Sequence, residues 1–250
     1  MIFFVLVLAV ALGISSLGDE ATEKPDLSGF WALFQVIAEH WDVPLVGERL
    51  RRVIQVAKIR IEQDDENIVL WSEEVCYMAF DTGTSLVQLS VLPEFLEKVR
   101  VGPIRGKLVP EGNRYLFLVS PYLVLNGVEL SDPADPLPTS PDDPRVRDQD
   151  GDGKPGFTVR VRILGLISGE TYVVQRLKQE YRGAVLGPDL IRGQILWEDE
   201  QVTLGASASF FLISGKGRPA LEEAFFLMRR LQDRENCEEV LKLFAEELRR

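Results

Sequence analysis

The residues best suited to chemistry lie in one stretch, Asp148-Gln149-Asp150-Gly151-Asp152-Gly153-Lys154-Pro155-Gly156. Three carboxylates at alternate positions, separated by glycines that permit sharp turns, can converge their oxygens on one hard cation such as Ca²⁺. Lys154 would add only its backbone carbonyl. The same Asp/Gly spacing also suits a metal-free turn, in which the carboxylates accept hydrogen bonds from nearby backbone N–H groups. The charge context favours an ion. Asp132, Asp135, Asp142, Asp143, Asp148, Asp150 and Asp152 crowd one segment, and they repel one another unless they are solvated or neutralised. Asp142 and Asp143 are the local candidates for further ligands.

Other chemistries are poorly served. A Ser-His-Asp constellation would have to use His40, the only histidine, whose neighbours Trp41 and Asp42 suggest a turn. No Gly-x-Ser-x-Gly elbow occurs. Glu73-Glu74 and Glu198-Asp199-Glu200 offer adjacent acids for glycoside chemistry, although acids in turns are usually solvated. Ser214-Gly215-Lys216-Gly217 lacks phosphate-loop spacing and reads as a turn. Cys76 and Cys237 are the only cysteines, and with one histidine they supply no zinc motif. They form one disulfide or remain two buried thiols; a bridge over so long a loop would stabilise the fold by about 4 kcal/mol. Trp31, Trp71, Tyr115, Phe117 and Trp197 could line a ligand cavity or be ordinary core.

These side chains need a scaffold, and the chain can provide one. It has 250 residues, 46% of them hydrophobic, enough for a substantial core. A net charge of −11 with no long basic run excludes sequence-independent binding to nucleic acid. Residues 1–18, with an apolar run from Ile2 to Ile14, read as a signal peptide, with a short N-terminal anchor as the alternative; no membrane span is expected after cleavage. The location implied is secreted or periplasmic, where a disulfide persists.

Residues 19–26 form a polar lead-in without expected structure. Over 27–214 the pattern is mainly β. An apolar first strand runs through Ile37, and Val53 to Glu62 alternates with Val53, Ala57, Ile59 and Ile61 on one face. Ile68 to Trp71 and Val75 to Phe80 form its hairpin partner. Pro93 to Val99 reads as one or two helical turns, and Ile104 to Val109 pairs with Arg114 to Val119 across Glu111-Gly112-Asn113. The acidic loop 131–156, rich in Pro and Asp with almost nothing to bury, then gives way to Phe157, Val159, Val161 and Ile163 facing inward, with Thr158, Arg160 and Arg162 facing water. Further strands cover Glu170 to Tyr181, Leu190 to Trp197 and Val202 to Ile213, linked by Gly187-Pro188 and by Glu198-Asp199-Glu200. In 215–250, Leu221, Ala224, Phe225, Met228 and Leu231 recur at helical spacing. Asn236-Cys237-Glu238-Glu239 opens a second helix with Cys237, Val240, Leu241, Phe244 and Leu248 on one face, so Cys237 could fasten the helices to Cys76.

Two family resemblances attach to these residues. Asp148, Asp150 and Asp152, with Gly153 at the turn, resemble ligands 1, 3 and 5 of an EF-hand or dockerin calcium loop. Val159 stands where the bidentate Glu belongs and a strand follows instead of a helix, so a calcium loop completed from elsewhere is implied rather than a full EF-hand. Gly29-Phe30-Trp31 on a first strand resembles the Gly-x-Trp signature of lipocalin-type barrels. Counting gives eight to ten strands joined mostly by hairpin-length turns, an antiparallel closed barrel or a sandwich; the resemblance implies a barrel whose Trp closes one end and packs against a basic residue from a late strand, here Arg176. The expected molecule is a secreted, calcium-stabilised, lipocalin-like antiparallel β-barrel with two C-terminal α-helices, monomeric, binding an apolar ligand or another protein. The alternatives are a carboxylate-dependent hydrolase and a structural cell-envelope protein.

Overall fold

A computed structural model describes residues 23–43, 47–211, 217–233 and 235–249; residues 1–18, read above as a signal peptide, and Ser214-Gly215-Lys216, read as a turn, lie outside them. The chain is mainly β and antiparallel. Its strands are β1 (Gly29–Val43), β2 (Gly47–Gln63), β3 (Ile68–Asp81), β4 (Val87–Val91), β5 (Ile104–Glu111), β6 (Arg114–Asn126), β7 (Phe157–Ile163), β8 (Ile167–Gly187), β9 (Leu190–Ala206), β10 (Arg218–Pro219) and β11 (Phe225–Arg230). Eight of them, β1-β2-β3-β5-β6-β8-β9-β11, pair in sequence order, and β11 returns to β1 to complete a barrel-like ring.

One edge of β8 pairs with β9 along most of its length. The other edge is shared: β6 takes Gln175 to Val185 and β7 takes Ile167 to Val173. Thus β6 and β7 lie end to end, and the acidic loop is an excursion from a single strand line. The glycines at its two ends lie against each other, a Cβ on Gly127 falling 2.6 Å from the Gly156 Cα. Gln149 ties both, its N–H donating to Gly156 O (2.9 Å) and its Oε1 accepting from Gly127 N–H.

Alternation decides what enters the ring. On β1, Trp31, Leu33, Gln35, Ile37, Glu39 and Trp41 point inward. Ala32, Phe34 and Val36 point outward, yet they are buried under helix α2 (Cys237–Leu243) and its extension, against Val240 and Phe244. Both faces of β1 are therefore covered, which explains its uninterrupted apolar run. Asn236 caps α2 with the reciprocal Glu239 bond, and the Cys76–Cys237 disulfide fastens it to β3 (Cα–Cα 5.1 Å). Helix α1 (Pro93–Lys98) fills the gap where β3 leaves β5 after only Ile68 to Leu70, and its Phe95 stacks on Phe157 at 4.7 Å.

Three expectations change. Leu221 to Leu231 is not a helix: Leu221–Glu223 is one 3₁₀ turn, and Phe225–Arg230 is the strand that closes the ring. Phe226 and Met228 enter the core while Phe225 and Leu227 pack outside under α2. With both faces apolar, the spacing fits either period, and the unpaired edges of β1 and β9 select a strand. Glu198-Asp199-Glu200 is likewise not a turn but the middle of β9. The acidic loop does bury something: Leu137, Val128 and Val146 form a small outer core with Val174, Val202 and Leu204 of β8 and β9. Of the lead-in, Lys24 donates to the Asp65 carbonyl (2.7 Å) and Pro25 O accepts from Gln63 Nε2 (2.9 Å), without regular secondary structure.

Candidate functional site

Two places gather functional groups. At the foot of β7, Asp148, Asp150 and Asp152 each present an oxygen within 4.8 Å of the others. That spacing makes the three carboxylates a candidate set for one shared cation. Gly151 (φ 76°) and Gly153 (φ 81°) supply the left-handed backbone this curl requires. Backbone N–H groups of Gly151 (2.7 Å) and Gly153 (2.9 Å) donate to Asp148, and Lys154 N–H donates to Asp152 (2.8 Å). These are the bonds expected of the metal-free turn, and they leave one atom over.

That atom belongs to Asp150. Its side chain is buried, 3% exposed, and Oδ2 accepts from Thr158 N–H (2.7 Å), but Oδ1 has no hydrogen-bond partner. Burial pushes the Asp150 carboxyl above the usual carboxylate range, and Asp152 and Asp148 add to the effect. Thr158 is buried, contrary to expectation, because it serves this loop: its hydroxyl donates to Asp152 Oδ2 (2.7 Å). The further ligands named from the sequence are placed elsewhere. Both Asp143 oxygens are held by Arg145, which lowers its pKa to about 2, and the cluster that comes together excludes Asp142 and Asp143. Local turn chemistry, an Asp followed two residues later by an Arg, takes up the Asp143 carboxylate instead. The Lys154 ammonium lies 5.7 Å from the Tyr172 ring.

The second place is the interior of the ring. Its closed end is solid: Trp31, Ile61, Phe117, Phe226 and Met228 pack against one another. Arg230, 4.6 Å over the Trp31 ring, donates to Ser28 O (2.8 Å) and Pro188 O (2.9 Å) across this end. The basic residue over Trp31 is thus Arg230 and not Arg176. Arg176 pairs with Glu200 and donates to the Pro133 and Asp135 carbonyls of the acidic loop.

Above a floor of Gln35, Gln55, Tyr122, Gln179 and Tyr181 a cavity of about 220 Å³ opens. Tyr181 donates to Gln35 (2.5 Å), Gln35 to Gln55 (2.7 Å) and Tyr122 to Gln179 (2.7 Å). Burial raises both phenols, Tyr181 to about 12, so they remain donors. Leu177, Val124, Ile37 and Val53 form an apolar waist, and Phe95, Phe157 and Met78 line a side lobe under α1. Gln179 Nε2, Trp197 Nε1 and Thr171 Oγ1 are buried around this space without a partner.

At the upper rim stand Glu39, Arg51 and Asp199, with Gln175 and Gln201. Register places Glu39 opposite Arg51, and the two form an ion pair in which Arg51 also lies 5.1 Å over Trp41. Asp199 is an exposed residue that also lines the cavity, so its carboxyl stands where the interior meets solvent, beside apolar walls. Partial loss of hydration there raises its carboxyl to about 7, Glu39 adding to the rise while Gln175, Arg51 and Gln201 oppose it.

Of the aromatics expected to line a cavity, Trp197 does so. Trp31 and Phe117 fill the closed end, with Tyr115 packed on the same core. Trp71 points outward, donating to Glu62 (3.2 Å) beneath Arg60. Bulky rings occupy the end that needs plugging, and the open end falls to Gln, Thr and acids. No protein-family model, curated protein or solved structure matches this chain.

Proposed function

We propose that the protein is a secreted, calcium-stabilised, lipocalin-like binding module that takes a small apolar or amphipathic molecule into its interior. One observation carries the reading: an eight-stranded ring can be filled by its own side chains, and this one instead keeps a cavity of about 220 Å³ with partnerless polar atoms around it. Apolar walls with a few fixed polar groups are the usual composition of a ligand site, and the size favours a molecule below drug dimensions. The Trp31–Arg230 stack and the sequential ring support the lipocalin comparison. The partnerless Asp150 oxygen among three carboxylates supports the calcium ion, and the disulfide is compatible with export.

The test is calorimetric titration with 1-octanol. A dissociation constant of roughly 0.1–1 mM is expected for so small a ligand, and Val124→Trp, which fills the waist, removes it. Absence of binding by the folded protein refutes the reading. Carboxylate chemistry is favoured by a single observation, that Asp199 lies near neutrality and feels Glu39. Glu39 is committed to Arg51, so a second free acid is lacking there, and binding is the better-supported use.

A further inference from the structure

Among the described residues, Glu39, Arg51 and Asp199 are the charged side chains that line the cavity. Glu39 and Arg51 neutralise each other, and Arg51 is further held over Trp41. Asp199 has no ion-pair partner among the described residues; its contacts are to the neutral side chains of Gln175 and Gln201. The described residues therefore leave one carboxyl of the lining uncompensated. Directly opposite it on β8 stands Leu177, which in turn faces Val124 of β6, so the acid borders the apolar waist. Trp197, two positions along β9 on the same face, lies about 7 Å deeper.

Accepting that the cavity is a ligand site, we infer that its ligand is an amphipathic amine, with the ammonium on Asp199 and the hydrocarbon among Leu177, Val124 and Ile37. An ammonium supplies the opposite charge, and the apolar walls next to Asp199 make that pairing stronger than on an open surface. A fatty acid, the ligand that apolar walls alone would suggest, brings a second carboxylate beside Asp199 and Glu39 and is disfavoured. A neutral alcohol fits the walls without using the acid.

The experiment compares octylamine, 1-octanol and octanoate by calorimetry on the folded wild type and on Asp199→Asn. At about pH 8.5, where Asp199 and the amine are both charged, octylamine is expected to bind at least tenfold more tightly than octanol, with octanoate weakest. Asp199→Asn is expected to reduce octylamine to the level that octanol shows on the same variant. In the wild type alone, lowering the pH to about 5 protonates Asp199 and removes the preference, which keeps the test independent of the variant's folding. Octanol binding with no preference for the amine overturns the amine assignment and leaves the cavity as a ligand site. No binding of either overturns both.

Discussion

Replacing Asp199 by Asn should stabilise the free protein at alkaline pH. In the fold the Asp199 carboxyl is raised from 3.8 to about 7 by loss of hydration beside the cavity walls. The folded state holds its proton more tightly than the unfolded chain does. Its favourable contribution is therefore complete below about pH 4 and is lost as pH rises through about 7. Three units correspond to a ceiling of about 4 kcal/mol at 1.4 kcal/mol per unit. The side chain touches solvent in the cavity, and screening there reduces the figure to about 1–2 kcal/mol. Asparagine keeps the shape and the amide contacts to Gln175 and Gln201 without the charge. Urea unfolding at about pH 8 should thus find Asp199→Asn more stable than wild type by about 1–2 kcal/mol, with the two converging near pH 4. Coincident curves at every pH would show that the carboxyl loses no hydration, and the account of the interior would fail.

Chelation should lower the melting temperature of the wild type. A cation at a hundredfold excess over its dissociation constant contributes about 2.7 kcal/mol, or roughly 5–10 °C in a domain of this size. Asp150→Asn should erase that dependence, and differential scanning calorimetry reads both. Changing Cys76 and Cys237 to serine should cost about 4 kcal/mol in denaturant unfolding, with amide exchange rising first in α2 while β1 and β2 stay protected. Arg230→Met removes three carbonyl contacts, to Pro188, Ser28 and Asp26, and the stack on Trp31, for a loss of roughly 2–3 kcal/mol by thermal melting. Arg176→Met should instead loosen the acidic loop, seen as faster proteolysis there. A larger loss from Arg176→Met than from Arg230→Met would contradict the placement of Trp31.

Local signals were legible where one rule acted alone. The β5–β6 hairpin, the alternating β7, the Pro-initiated α1 and the capped α2 carrying Cys237 all follow from nearest-neighbour chemistry. The acidic triplet converges as its spacing implies. Segments buried on two sides were ambiguous: Phe225 to Arg230 satisfies helical and strand periods alike, and only the open edges of β1 and β9 decide. Asp199 was hidden between two other acids, although alternation outward from Trp197 would have placed it on the inner face. The pairing of Arg230 with Trp31 joins opposite ends of the chain, and neither neighbourhood announces it.

Because β6 and β7 continue one line and Gly127 lies against Gly156, residues 127–156 behave as a detachable cassette. Joining Asn126 to Phe157 through a short linker would leave the sheet's hydrogen-bonded path intact beneath it. What such a deletion removes is the outer cover over Val174, Val202 and Leu204. The acidic module and the wall it decorates can therefore diverge separately, one exchanged for another insert while the chamber behind it is preserved.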